Sequence, residues 1–103
     1  MTNVTSAVTE AFGQASAVGR AALVGYLPAG FPSVDGAIEA ALAMAQAGAD
    51  IIEVGLPYSD PLMDGPVIAE AVHRALAAGT RVADVLRTVE AVAAAGVPVL
   101  VMT

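Results

Sequence analysis

Apolar residues fall along this chain in two rhythms, short unbroken runs and longer stretches at helical spacing. Val4, Val8, Ala11, Phe12 and Ala15 recur at the spacing of one helix face and predict a helix within residues 1–19. Ala21 to Leu27 is a continuous apolar run closed by Pro28, which reads as a first strand, and Ala29, Gly30, Phe31 and Pro32 form the loop after it. Ser33 is placed to cap a second helix, Asp35 suits the positive end of that helix's dipole, and Ile38, Ala41, Leu42 and Ala45 make its apolar stripe. Gly48 is the expected left-handed stop. Ile51, Ile52 and Val54 form a second strand, too short for a helix, rich in β-branched residues and ended by Gly55 and Pro57. Pro66 to Ala78 predicts a helix that turns Ile68, Ala71, Val72 and Leu76 inward and stops at Gly79. Thr80 is expected to cap a further helix through Ala95 with Val82, Val85, Leu86 and Val89 on its buried face. Gly96 ends it, and Pro98 to Thr103 opens a third strand.

That order is the alternation of β/α units that carry a parallel sheet. No charged or Pro/Gly-rich linker divides it, so residues 1–103 read as one domain, with 1–20 a leading helix and 21–103 the β/α units. A doubly wound sheet usually shows a glycine-rich phosphate turn after its first strand, and Gly-Tyr-Leu-Pro-Ala-Gly is no Gly-x-Gly-x-x-Gly. The spacing between strands instead suits a (β/α)8 TIM barrel, of which this length would cover roughly the first three β/α units, since a whole barrel takes about 250 residues. The last apolar run meets the final residue in mid-strand, which is expected of a barrel fragment. Ile52 and Val54 are expected on the inner face of the arc.

Composition narrows the partners. The apolar share of 57% is high for so short a chain, yet no uninterrupted apolar stretch approaches the ~18 residues of a membrane span. A net charge of −6 with four arginines and no lysine leaves no basic patch for nucleic acid or anionic lipid, so neither is expected as a partner. The absence of cysteine removes disulfides and thiolate metal sites. With no basic segment leading into an apolar core at the amino terminus, the expected location is cytoplasmic.

The chemistry gathers at one strand end. Glu53 stands within the apolar run of the second strand, where a carboxylate either has a cationic partner or faces a pocket. In a pocket its proton affinity would rise through desolvation, suiting it to proton transfer near neutral pH. Asp64 lies just before Gly65 and Pro66 at a helix start. It can hold a substrate N–H or a developing positive charge as an ionised carboxylate, or it can be a capping residue. Asp60 precedes Pro61, a pairing that often only makes a turn. Tyr26, near the end of the first strand, can line a pocket or fill the core. His73, beside Arg74 and off the apolar stripe, reads as a surface residue, as do the arginines. Another possibility gives the three carboxylates a Mg²⁺ ion and the role of enolising a phosphorylated substrate, as in a metal-assisted lyase or aldolase. A third treats the chain as a catalytically silent piece that associates through open sheet edges.

Asp-Ile-Ile-Glu-Val-Gly-Leu-Pro-Tyr-Ser-Asp-Pro-Leu-Met-Asp-Gly-Pro-Val-Ile resembles the signature of the tryptophan synthase α chain family. Gly-Tyr-Leu-Pro-Ala-Gly-Phe-Pro and Val-Leu-Val-Met-Thr match the family's first and third strands, so the likeness runs in register over residues 21–103. The resemblance implies a TIM barrel lyase that splits indole-3-glycerol phosphate into indole and glyceraldehyde 3-phosphate by a retro-aldol reaction in tryptophan biosynthesis. It implies an α2β2 heterotetramer in which indole passes to a β chain that holds pyridoxal phosphate, with no cofactor or metal on this chain. By the same resemblance Glu53 is the catalytic glutamate that moves protons at the indole ring and the glycerol hydroxyl. Asp64 is the catalytic aspartate that holds the indole N–H. Tyr26 is an aromatic of the indole pocket, and Pro57, Ser59 and Asp60 belong to a loop that signals to the β chain. Pro28 stands where the family commonly has threonine, Phe31 where Asp or Tyr is usual, and Met63 where alanine is common. The family's phosphate site and mobile loop would lie beyond Thr103.

Overall fold

A computed structural model describes residues 6–58 and 64–103. Its elements follow the order α1 (Ala7–Ala17), β1 (Val24–Pro28), α2 (Val34–Ala47), β2 (Ile51–Gly55), α3 (Gly65–Ala77), α4 (Val82–Ala94) and β3 (Val99–Met102). The three strands form one parallel sheet in the order β1-β2-β3, with Val24 to Pro28 paired to Ile51 to Gly55 and Ile52 to Gly55 paired to Val99 to Met102. Every predicted element is therefore present. Val4, one of the apolar positions assigned to the first helix, lies outside the described residues; of the others only Ala11 and Ala15 are buried, and Phe12 is half exposed.

The caps explain where several elements begin and end. Ser33 accepts a hydrogen bond from the Gly36 N–H at 2.9 Å and so opens α2, and Gly48, at φ 119°, closes it in the left-handed region. The expected Thr80 cap is corrected. Arg81 is the cap position of α4, and its N–H donates to the Asp84 carboxylate, one turn ahead, at 2.9 Å. Thr80 is buried instead and lies over Gly30, so close that a Cβ at Gly30 would collide with its side chain. Gly30 also has φ 85°, so both backbone and space require glycine there. The contact ties the loop after β1 to the junction between α3 and α4.

One face of the sheet is the core. Ala29, Ala41, Ile52, Val54, Val85 and Val92 form a single buried cluster, joined by Leu27, Met44, Val89 and Val99. Ala41 and Met44 come from α2, and Val85, Val89 and Val92 from α4, so Ile52 and Val54 face the helices. This overturns their expected place on the inner face. Side chains alternate along a strand, and the residue between them, Glu53, points the other way. The stripe of α4 is also corrected: Val82 and Leu86 are 62% and 61% exposed, while Val85, Thr88 and Val92 are buried. Thr88 can join an apolar stripe because its hydroxyl donates to the Asp84 carbonyl at 2.8 Å, which leaves no unpaired polar atom inside. In α3 the expected face is partly kept, with Ala71, Val72 and Ala75 buried and Ile68 and Leu76 half-buried. This helix packs against β1, whereas α4 packs against β2 and β3.

At the amino-terminal ends of the strands the register is held by an ion pair. Arg20 donates from Nη1 to Asp50 Oδ2 at 2.8 Å and from Nη2 to Oδ1 at 2.9 Å, a bidentate arrangement. The Leu23 N–H also donates to Asp50 Oδ2 at 2.8 Å, and the Leu23 carbonyl accepts the Asp50 N–H at 2.9 Å. Leu23 is thus bonded to Asp50 on both sides. This is why β1 begins at Val24 and not at Ala21: the preceding residues are occupied by the clamp and not by the ladder. Arg20, read from the sequence as a surface charge, is a half-exposed member of this clamp.

The Arg20 guanidinium and the Leu23 N–H hold the Asp50 carboxyl below the usual carboxylate range, at about 2. A carboxylate with a lowered pKa in the folded state stabilises above its unfolded value of about 3.9 and loses that contribution as pH falls toward the folded value. Asp50→Asn should therefore lower the melting temperature by a constant amount from about pH 7 to about pH 5, and the gap should close as pH falls below about 4. Paired thermal melts across that range test this; a gap that persists unchanged to the lowest pH would show that the Asp50 charge contributes nothing.

Candidate active site

β1 and β2 bring Tyr26 and Glu53, two of the predicted site residues, together on the face of the sheet away from the core. Tyr26 and Glu53 are partners in the β1–β2 register, so their side chains leave the same face of the sheet side by side, and Leu100 of β3 pairs with Glu53 on its other flank. Both Tyr26 and Glu53 are half-buried, and Leu100 is 41% exposed. Apolar strand neighbours, a phenol and a carboxylate therefore line an inner wall that the core does not use.

Glu53 does not take part in an ion pair among the described residues. The pairs present join Arg20 to Asp50, Arg74 to Glu70 and Arg87 to Asp35, all elsewhere on the chain. Among the described residues the salt-bridge reading of Glu53 therefore finds no cation. Arg74 finds its acidic partner four residues back on its own helix, and His73 is exposed, as its position off the stripe predicts.

Asp64 stands at the cap position of α3 but makes no side-chain capping hydrogen bond, and its backbone, at φ −89° and ψ −15°, is already helical. A working cap residue has extended backbone so that its side chain can reach back to the first turn. The carboxylate of Asp64 is consequently not used by the helix it precedes. Pro66 in the first turn provides the preset φ of a helix start without it.

The space between these groups is set by a glycine. A Cβ built on Gly55, the last residue of β2, would overlap the Tyr26 hydroxyl and lie 2.9 Å from the ring carbon that carries it. The phenol is therefore laid over the end of β2, and Gly55 admits it there. Burial, followed by the Asp64 and Glu53 charges and then Tyr58, raises the Tyr26 phenol above its ordinary value. At neutral pH it is a neutral hydroxyl and can donate a hydrogen bond. The sequence suggested Tyr26 as an aromatic wall; the position of its oxygen depends on Gly55, which read only as a strand stop.

Pro57, predicted at the partner interface, is half-buried just past β2, and Tyr58 after it is 39% exposed. Ser59 and Asp60, the other predicted interface residues, and Met63 lie outside the described residues. Pro28 is the buried last residue of β1, paired with Gly55, and Phe31 lines a groove of about 460 Å³ with Pro66, Val67, Glu70, Ala71 and Arg74 of α3. No helix among the described residues is long and apolar enough to cross a membrane.

Comparison with known proteins gives the family. The family model of the tryptophan synthase alpha chain matches residues 12–103. The alpha chain of Salinispora tropica is 63% identical over 98 residues, covering 95% of this chain and 37% of the relative. That of Thermobifida fusca is 62% identical over 90 residues, covering 87% of this chain and 33% of the relative. The chain thus spans little more than a third of the length of the curated relatives it matches. Among solved structures, tryptophan synthase of M. tuberculosis in its aminoacrylate-bound form superposes with a TM-score of 0.93 at 50% identity over 96% of this chain and 40% of that one. Tryptophan synthase subunit alpha of Legionella pneumophila gives 0.89 at 31% identity, over 96% of this chain and 38% of its own. The three-stranded arc is the amino-terminal part of a (β/α)8 barrel, and the chain belongs to the tryptophan synthase alpha chain family.

Proposed function

We propose that this sequence is the amino-terminal part of a tryptophan synthase α chain, a lyase that cleaves indole-3-glycerol phosphate to indole and glyceraldehyde 3-phosphate. The observation that carries the reading is the juxtaposition of Glu53 and Tyr26 on the inner wall with an Asp64 carboxylate that its own helix does not use. Barrel enzymes draw their catalytic groups from the carboxyl ends of strands and the loops after them, and Glu53 and Asp64 occupy that end. Family membership supports this retro-aldol reading over a metal-assisted one.

Glu53 gives a proton to the indole ring carbon that bears the glycerol chain and takes one from the hydroxyl on the adjoining carbon. As the carbon-carbon bond breaks, its electron pair returns to the ring, the hydroxyl carbon becomes the aldehyde, and Glu53 ends in its starting state. Protonating the ring places positive charge on the indole nitrogen, and Asp64 balances that charge while accepting the N–H. The Tyr26 ring forms one wall of the indole pocket. The chain itself needs no cofactor or metal for these steps. Indole then passes within a cytoplasmic α2β2 complex to the β chain, which carries pyridoxal phosphate.

In the complete enzyme, Glu53→Gln should preserve the fold, since amide and carboxylate are alike in volume, and reduce indole release about 10²–10⁴-fold. Asp64→Asn should cost about 10²–10³-fold, because the amide cannot balance the indole charge. Steady-state indole release and melting temperature, measured on the same preparations, test both; turnover within a few-fold of the parent in either variant would remove that residue from the catalytic set.

Pro57, Ser59 and Asp60 follow β2 on the way to Asp64, so a partner that touches them acts close to the site. Asp60→Ala should leave the isolated α reaction within about twofold of the parent, the range of a surface change that spares the machinery. It should reduce the activation of that reaction by the β chain. Assays with and without the β chain separate the cases: equal loss in both would make Asp60 catalytic.

The 103-residue segment alone should release no indole and should self-associate, because its inner wall, with Leu100 exposed, has no opposite wall and two open sheet edges. Sedimentation and an indole assay on the segment test this. A cooperatively folding, active monomer would overturn it.

A further inference from the structure

α3 follows β2 along the chain but packs against β1, and the residues it buries are small, Ala71, Val72 and Ala75. Two alanines and a valine give a helix few projections to lock it against sliding or tilting. Its start has more room still. An open groove of about 460 Å³ lies between Phe31 and the first turns of α3, where Pro66 and Ala71 line it. Among the described residues no side-chain hydrogen bond or ion pair joins α3 to another element; the pair it carries, Arg74 to Glu70, is internal.

The tight contact is at the other end of the helix. The Thr80 N–H donates to the Ala75 carbonyl at 3.1 Å, so Thr80 is fixed to the last turn of α3. Thr80 is buried over Gly30, where an added Cβ would overlap its hydroxyl and lie 2.7 Å from its methyl. The loop with Gly30 is in turn anchored beside the site, because the Ala29 N–H donates to the carbonyl of Gly55, the last residue of β2, at 3.0 Å. Thr80 thus joins α3 to the paired ends of β1 and β2.

We propose that Thr80, seated over Gly30, is a positioning residue for Asp64. The proposal rests on the function assigned above and adds to it a contact outside the site that sets where one of the two carboxylates stands. Asp64 precedes the first turn of α3 and Thr80 follows its last, with the buried alanines between them. A helix of 13 residues is a stiff rod about 20 Å long, so a tilt about the alanine contact moves its two ends in opposite directions. Loosening the Thr80 seat therefore displaces Asp64, while Glu53 stays in the strand ladder. Misplacement by about 1 Å can cost about 10²-fold where geometry is strict, and charge balance, being less strict, should lose about tenfold.

The test uses the complete enzyme with Thr80→Ala, which empties the notch, and Thr80→Val, which keeps its shape; Thr80→Ala is also measured in an Asp64→Asn background. Thr80→Ala should lower kcat for indole release about tenfold and leave KM within about twofold, because Asp64 balances charge in the transition state. In the Asp64→Asn background the same change should cost under about twofold, since the group it positions no longer carries the charge. Thr80→Val should recover most of the loss. Equal losses in both backgrounds would overturn the proposal, as would a lowered melting temperature with kcat unchanged, or a Thr80→Val variant as impaired as Thr80→Ala. Should Thr80→Ala fail to fold, Thr80→Ser, which removes only the methyl, takes its place in the same cycle. Hydrogen exchange along α3 reads the contact without the reaction: it should quicken in Thr80→Ala and stay at the parent rate in Thr80→Val. Unchanged exchange in Thr80→Ala would overturn the proposal by itself. If the parent enzyme released no indole, the assigned function would fail, and exchange would still decide whether Thr80 holds the helix.

Discussion

Ile52 and Val54 are completely buried beneath α2 and α4, and successive side chains of a strand point to opposite faces. Their burial obliges Glu53 to face the other way. The core and the site are therefore two sides of one five-residue strand, and neither can be altered in register without the other. A slip of one residue would bring the Glu53 carboxylate beneath the helices without a partner and move Ile52 and Val54 to the inner wall. Burying an unpaired carboxylate is far more costly than exposing a valine, so the apolar packing of the outer face is what holds the carboxylate toward the inner wall.

Much of this was legible from the residues. The alternation of short apolar runs with helical stripes locates the three strands and four helices of the described residues, since Gly48, Gly79, Gly96 and the prolines punctuate the chain at their ends. Facing was less legible. A strand covered on both sides reads as a continuous apolar run, so hydrophobicity alone does not say which residues are inside the barrel, and the expectation for Ile52 and Val54 falls on the wrong side. The parity of Glu53 contained the answer: once the carboxylate is given to the pocket, its two neighbours must belong to the helices. Thr88 shows a different limit. Its side chain is buried because it bonds to a carbonyl one turn back, a local arrangement that a count of apolar residues passes over, and the predicted stripe shifted to Val82 and Leu86 as a result.

The two ends of the strands have different tasks. At the amino-terminal end, Asp50 is saturated by a bidentate guanidinium and a backbone N–H, and its low proton affinity reflects those donors. At the carboxyl end, Asp64 has a helix beside it and yet no bond from it. The sequence gives both residues the same side chain, and nothing in local composition says which one is engaged. Arg20 lies thirty positions before Asp50 and could be paired with it only through the β1–β2 register. Conversely, Asp64 precedes Gly-Pro at a helix start and looks like a cap; only the backbone angles show that it is not one.

This division accords with barrel architecture, in which one end of the strands serves stability and the other serves chemistry. It also accounts for how the site is built from unlike supports. Glu53, the proposed mover of protons, lies between two hydrogen-bonded strands, so its position is set by the most rigid part of the fold. Proton transfer demands that rigidity, because a misplacement of an ångström removes most of its advantage. Asp64 stands at the start of α3, outside the strand ladder. Balancing a charge is less sensitive to distance than moving a proton, since electrostatic attraction falls off gradually with separation. In the proposed reaction a helix start is therefore an adequate support for charge balance, as a strand position is for proton transfer.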